Sequence, residues 1–209
     1  MPRAYALERP GVVPYDAAIE LMRLLEAATL ADPARTTLLL LEHPPVITIG
    51  RNGKESNVLA RRIDVRHSDR GGDVTWHGPG QIVGYPVIHL RQHRLTVRMY
   101  VQGLEEVMIR VARRFDVFAE RREGLVGVWV GARKVGALGV RVRRHVATHG
   151  FALNVANDLE PYRWIHPCGM PGAQATSLSA EVGRQVPMEA ACEACARAFE
   201  EVFDVVEAR

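Results

Sequence analysis

Arg70-Gly71-Gly72-Asp73-Val74-Thr75-Trp76-His77-Gly78-Pro79-Gly80-Gln81-Ile82-Val83-Gly84-Tyr85-Pro86 sets five glycines among an Arg, a His and two aromatic residues, and leads directly into the apolar run Val87-Ile88-His89-Leu90. Glycine lets a backbone approach a ligand closely, and an apolar strand behind such a segment supplies a rigid base. A connector has no need of Trp76, His77 and Tyr85 between the glycines. The stretch therefore reads as a ligand-binding loop seated on a strand.

Working outward, residues 15–30 carry Ile19, Leu21, Met22, Leu25 and Ala28 at helical spacing. Residues 37–41 and Val46–Ile49 read as short buried strands, 51–62 as a polar loop and 63–67 as a further short strand. Residues 96–115 form an amphipathic helix with Thr96 as its N-cap. A hairpin follows, with Val128-Trp129-Val130 turning through Gly131-Ala132-Arg133 into 134–142, then a strand over 149–155. A short helix at 158–164 and an Ala-rich helix at 187–202 complete the reading. Strand runs mixed with separate helices, without regular βαβ alternation, indicate an α+β (mixed α/β) fold. The absence of repeats and linkers makes residues 1–209 a single domain.

The chain is 47% hydrophobic and 24% charged, ordinary for a globular protein. Its N-terminal segment lacks an apolar secretory core, and no apolar run reaches membrane-spanning length. Three cysteines do not form a disulfide framework, so a reducing cytoplasm is expected. The formal charge of +3 favours acidic partners. Nucleic acid is not expected, because no stretch alternates basic and aromatic residues as a stacking platform would. A monomer is the default assembly.

Among 27 basic residues only Lys54 and Lys134 are lysines. Arginine cannot release its proton at usable pH and lysine can. Lys134, retained beside Arg133 and ahead of the small apolar Val135-Gly136-Ala137-Leu138-Gly139, is thus a candidate for proton transfer. Cys168 lies in Trp164-Ile165-His166-Pro167-Cys168-Gly169-Met170-Pro171-Gly172, where two prolines and two glycines force a tight turn able to present a thiol. His77 could act as a base or order its own segment, and the second role is preferred. Cys192-Glu193-Ala194-Cys195 lies on a helical pattern, where packing explains it better than a metal or redox site. The remaining histidines lack metal-ligand spacing, so no metal is expected.

The opening segment also resembles the signature of the lipoyl(octanoyl) transferases: Arg70-Gly71-Gly72, two free positions, Thr75, an aromatic, His77, two free positions, Gly80-Gln81, then Tyr85. Glu42-His43-Pro44-Pro45-Val46-Ile47-Thr48-Ile49-Gly50-Arg51, the Lys134 strand and Pro167-Cys168-Gly169 are similar to the same family, in order across residues 38–178. The resemblance implies the fold shared by the catalytic domains of biotin and lipoate protein ligases. It also implies octanoyl transfer from octanoyl-acyl carrier protein to a lysine of lipoyl domains and of glycine cleavage H protein, without a cofactor. By the same resemblance Cys168 is the acyl acceptor and Lys134 its partner. Arg70, Gly71, Gly72, Asp73, Val74, Thr75, Trp76, His77, Ala137, Leu138, Gly139, Gly150, Phe151 and Ala152 line the acyl and carbonyl site, with an amide near Leu138 or Gly139 as oxyanion donor. Two other readings stand beside this one. An ATP-dependent lipoate–protein ligase has no need of a nucleophilic cysteine, and a passive carrier-binding module has no use for both Lys134 and Cys168.

Overall fold

The computed structural model describes residues 3–208. In chain order the elements are β1 (Arg3–Val12), α1 (Tyr15–Ala31), β2 (Thr37–Glu42), β3 (Val46–Ile49), β4 (Val65–His67), β5 (Val74–His77), β6 (Gln81–His89) and α2 (Val97–Arg114). They continue with β7 (Glu120–Arg122), β8 (Leu125–Val130), β9 (Arg133–Arg143), β10 (Val146–Asn154), β11 (Gln174–Ala175), α3 (Leu178–Val182), α4 (Met188–Phe203) and β12 (Val205–Glu207). A large mixed sheet runs β12-β1-β2-β6-β10-β9-β8-β7, with β11 also against β9, and a small sheet runs β4-β3-β5.

Period-two alternation along the central strands divides the interior in two. Leu38 and Leu40 of β2, Ile82 and Ile88 of β6, and Phe151 and Leu153 of β10 pack under α2 and α4. Their neighbours Leu39, Leu41, Val83, Tyr85, Val87 and Ala152 pack against Ala18, Met22 and Leu25 of α1 on the other face. Strands covered on both faces read as continuous apolar runs, which is why residues 37–41 show no alternation in sequence. Thr96 caps α2 as expected, its hydroxyl accepting the Met99 amide at 3.1 Å.

The opening stretch is not one loop. Only Arg70 to Asp73 is irregular; Val74–His77 is β5, Gly78 to Gly80 is the turn, and β6 starts already at Gln81. Gly84 sits inside β6 because the Phe151 ring leaves no room there for a Cβ. Trp76, Ile47, Ile49, Val74 and Ile165 form a separate small core. Among the described residues no helix is long and apolar enough to cross a membrane.

Candidate active site

The β8–β9 hairpin positions the lysine. Trp129 opposes Lys134, but Val128 opposes Gly136, so β9 carries an extra residue at this point. Such a bulge re-aims side chains. Val135 packs into the core under α2, and Lys134, itself buried, reaches Cys168. Its Nζ donates to the Val126 carbonyl at 3.0 Å, lies 3.0 Å from Cys168 Sγ and stands 5.2 Å from the centroid of the Trp129 ring. Gly127 makes this possible. Its φ of 125° is open to glycine alone, and a Cβ there would lie 2.5 Å from Lys134 Cε.

Cys168 is exposed on a single turn, Pro167–Gly169, with φ 55° and ψ 27°. A left-handed non-glycine residue carries strain that its surroundings must hold. The Gly169 amide bonds to the His166 carbonyl at 2.9 Å, and the His166 amide to the Asn57 carbonyl at 2.7 Å. Asn57 Nδ2 donates to both carboxylate oxygens of Asp73, at 3.0 and 2.9 Å. A Cβ on Gly169 would lie 2.6 Å from Asp73 Oδ2, so the turn rests directly on Asp73.

An apolar pocket runs inward from Cys168. Gly72, Asp73, Val74, Thr75, Ala137, Leu138, Gly139, Gly150, Phe151 and Ala152, which the resemblance names for the acyl and carbonyl site, line it together with Arg70 and His77. Two expected residues lie elsewhere. Trp76 points into the small core, because alternation along β5 sends it opposite to Thr75 and His77. Gly71 donates to the Val140 carbonyl at 2.9 Å and lines an adjoining groove that also reaches Leu138 and Cys168. Tyr15, Val83, Tyr85 and His149 complete the pocket wall. Tyr85 lies within the quoted signature, whereas nothing local in sequence marks Tyr15 or His149. His149 reaches the pocket through a left-handed backbone, φ 56°.

The inner wall is a hydrogen-bonded network. His43 Nδ1 bonds to the Val13 carbonyl at 2.6 Å and so carries the proton, which leaves Nε2 to accept the Tyr85 hydroxyl at 2.8 Å. His77 Nδ1 lies 2.7 Å from Gln81 Oε1, whose amide donates to Asn154, Tyr162 and the Trp76 carbonyl. Burial pushes His43 below the ordinary histidine range; burial, with a second ionisable ring at His43 and the Arg70 cation beside it, pushes His77 well below. His77 is thus held as a neutral, internally bonded ring, which favours the ordering role over the base. Arg70 spends its guanidinium on the Thr48, Gly71 and Asp73 carbonyls and the Thr48 hydroxyl, tying β3 to the irregular segment. His149 Nε2 bonds to Asp69 at 2.7 Å, which holds that carboxyl below its usual range.

One backbone amide faces the site. Val140 turns its carbonyl away from β10 to meet Gly71. Amide direction alternates along a strand, so Leu138 presents its N–H to the same edge. β8 has ended by then, its last partner on β9 being Gly136, and among the described residues no strand pairs with Leu138 on that edge. Cys192 and Cys195 lie far from this chemistry, on α4; burial pushes both thiols upward, and no group of three or more metal-ligating side chains occurs among the described residues.

Residues 14–200 match the family model for the lipoyl protein ligase A/B catalytic domain. The chain is 50% identical over 178 residues to an octanoyltransferase of Geobacter metallireducens, covering 85% of this chain and 84% of that one. It is 43% identical over 202 residues to an octanoyltransferase of Gloeobacter violaceus, covering 95% and 90%. Among solved structures it superposes on lipoate-protein ligase A bound with ATP with a TM-score of 0.77 at 14% identity, over 100% of this chain and 88% of that one. The biotin protein ligase of Aquifex aeolicus follows with a TM-score of 0.55 at 8% identity, over 98% of this chain and 70% of that one. These structural likenesses establish the shared fold expected from the sequence. By its family model and its relatives, the chain belongs to the lipoyl protein ligase A/B catalytic domain family and, within it, to the octanoyltransferases.

Proposed function

We propose that this chain transfers an octanoyl group from the thioester of acyl carrier protein to a lysine of lipoyl domains and glycine cleavage H protein, through an octanoyl thioester on Cys168. The observation that carries the reading is the 3.0 Å contact between Lys134 Nζ and Cys168 Sγ at the mouth of an apolar pocket. Thiolate is the nucleophile in such chemistry. Cys168 Sγ attacks the thioester carbonyl, the bond to the carrier's phosphopantetheine sulfur breaks, and Lys134 gives that sulfur its proton. The acceptor amine then attacks the Cys168 thioester, Lys134 takes up the amine's proton, and Cys168 leaves as thiolate with the amide formed. The dyad is restored with no net proton change. The Leu138 amide, facing the open edge, supports the oxyanion in both steps. Six methylenes in the pocket contribute roughly 5 kcal/mol of binding before ordering costs.

Exchange between thioesters is near balance and the final amide lies downhill, so ATP has no part. This separates the reading from a lipoate–protein ligase, whose fold the chain shares. The test is intact mass after incubation with octanoyl-acyl carrier protein without ATP, for wild type and Cys168→Ala. Wild type alone should gain one octanoyl group, and an apo lipoyl domain should discharge it. Transfer that requires ATP and free octanoate would overturn the proposal in favour of the ligase.

A further inference from the structure

Lys134 does not hold its position alone, and its second partner leads to a residue outside the pocket. The peptide unit joining Val126 to Gly127 is hydrogen-bonded at both ends. Its carbonyl accepts Lys134 Nζ at 3.0 Å, and its N–H donates to Glu105 Oε1 at 3.0 Å. Glu105 comes from the middle of α2 and is 5% exposed. Its other oxygen accepts Arg121 Nε at 3.2 Å, so the buried carboxylate is charge-compensated from β7.

We infer that Glu105 is a positioning residue for the Cys168–Lys134 pair, acting through the Val126–Gly127 peptide. The inference rests on the reading of that pair as the reacting dyad. Two facts converge on it. Gly127, at φ 125°, adopts a backbone that no other residue holds comfortably, so this peptide orientation needs an outside anchor. The carboxylate supplies the anchor: a charged acceptor makes a stronger bond to an amide than a neutral one does. It also polarises the carbonyl at the other end toward the ammonium, since bonds in series strengthen one another. The carbonyl's bond to Nζ is what sets the ammonium beside the sulfur. Without Glu105 the strained peptide can rotate, and the lysine follows it. α2 thus serves the site as well as the core. It places Val107 and Met108 under the sheet, and Glu105 against the strand that carries the lysine's acceptor.

The test is the rate of Cys168 alkylation by iodoacetamide in the full chain, at pH 7 and pH 9.5, with thermal melting as the folding control. Wild type should label fast at pH 7. Glu105→Leu, which removes the acceptor, should label about tenfold more slowly at pH 7 and match wild type at pH 9.5, where a thiol ionises unaided. Glu105→Gln keeps an oxygen for the Gly127 amide and should recover most of the pH 7 rate. Glu105→Asp keeps the charge but withdraws the oxygen by one methylene, and should show the loss in smaller measure. Wild-type labelling at pH 7 in Glu105→Leu overturns the inference; if that variant does not fold, wild-type labelling in Glu105→Asp does so. A different result identifies failure of the dyad itself: Lys134→Met labelling as fast as wild type at pH 7 would remove the pair, and Glu105's role with it.

Discussion

The two ends of the pocket follow opposite designs. At the mouth, Cys168 is exposed on a left-handed turn and faces a lysine whose Nζ meets a carbonyl, a sulfur and an indole ring. At the inner wall, Tyr15, His77, Tyr85 and His149 are buried, and their polar atoms bond to other protein groups. Burial penalises charge, and it holds Tyr15, His77 and Tyr85 in their neutral forms, which suits the apolar chain proposed for the pocket. Exposure and strain at the mouth leave Cys168 free to meet the two protein partners proposed for it. On the proposed reading, chemistry and chain recognition are separated along one cavity, and variants at the two ends should fail in different ways.

The sharpest way to break the contrast is Cys168→Ala. Octanoyl transfer should fall by about a thousandfold or more, with no acyl adduct by mass and an unchanged melting temperature, because the side chain is exposed and removing it opens no cavity. Cys192→Ala, on α4, should keep the adduct and the activity. An adduct on Cys168→Ala protein would place the nucleophile elsewhere and dissolve the mouth as a distinct region. Lys134→Met comes next. It keeps the buried stem and removes the amine proposed to carry the proton, and should lower kcat by about a hundredfold to ten-thousandfold. Steady-state rates at saturating donor would show this, and a loss confined to KM would argue instead for substrate docking.

Legibility from sequence followed the same division. The helices were readable because Ile19, Met22 and Leu25 repeat at helical spacing and Thr96 is a good cap. β5 was not: its four residues show too little alternation to outweigh the turn-forming neighbours, and Trp76, which the resemblance counts among the lining residues, is turned by that strand into the small core. The pairing of Lys134 with Cys168 spans 34 positions, and no spacing rule predicts it; each residue stood out in its own context, and the family resemblance joined them. His149 was hidden because its direction depends on a backbone angle, and Glu105 because its partner is an amide whose orientation only the folded hairpin creates.

The inner wall should reveal itself through pH. Burial lowers His43 and His77 from the ordinary value of 6.5, and His93, buried beside Thr36, is pushed down to about 4. As the pH falls below 6.5, the unfolded chain takes up protons that the folded rings refuse. Stability is therefore full above that value and declines as the pH drops toward the folded values. Urea unfolding should show at least about 2 kcal/mol less stability at pH 5 than at pH 7.5, the share of His93 alone, with His77→Gln flattening the slope. An equal midpoint at both values would mean that these rings are not held neutral.

The smallest effect is expected from Tyr85→Phe, and it bears most directly on the contrast. The ring stays, so the pocket keeps its apolar wall. What disappears is the hydroxyl that His43 Nε2 accepts at 2.8 Å, leaving that nitrogen buried without a donor. Such a loss costs about 1 to 2 kcal/mol of stability, readable as a lower melting temperature. Octanoyl transfer should stay within about threefold of wild type, because no proton in the two acyl transfers passes through this hydroxyl. The two ends then differ in kind: removing one atom from Cys168 abolishes the reaction, while removing one from Tyr85 only loosens the wall. A fall in kcat to the level of Lys134→Met would instead draw the wall into the chemistry and make the pocket a single catalytic unit.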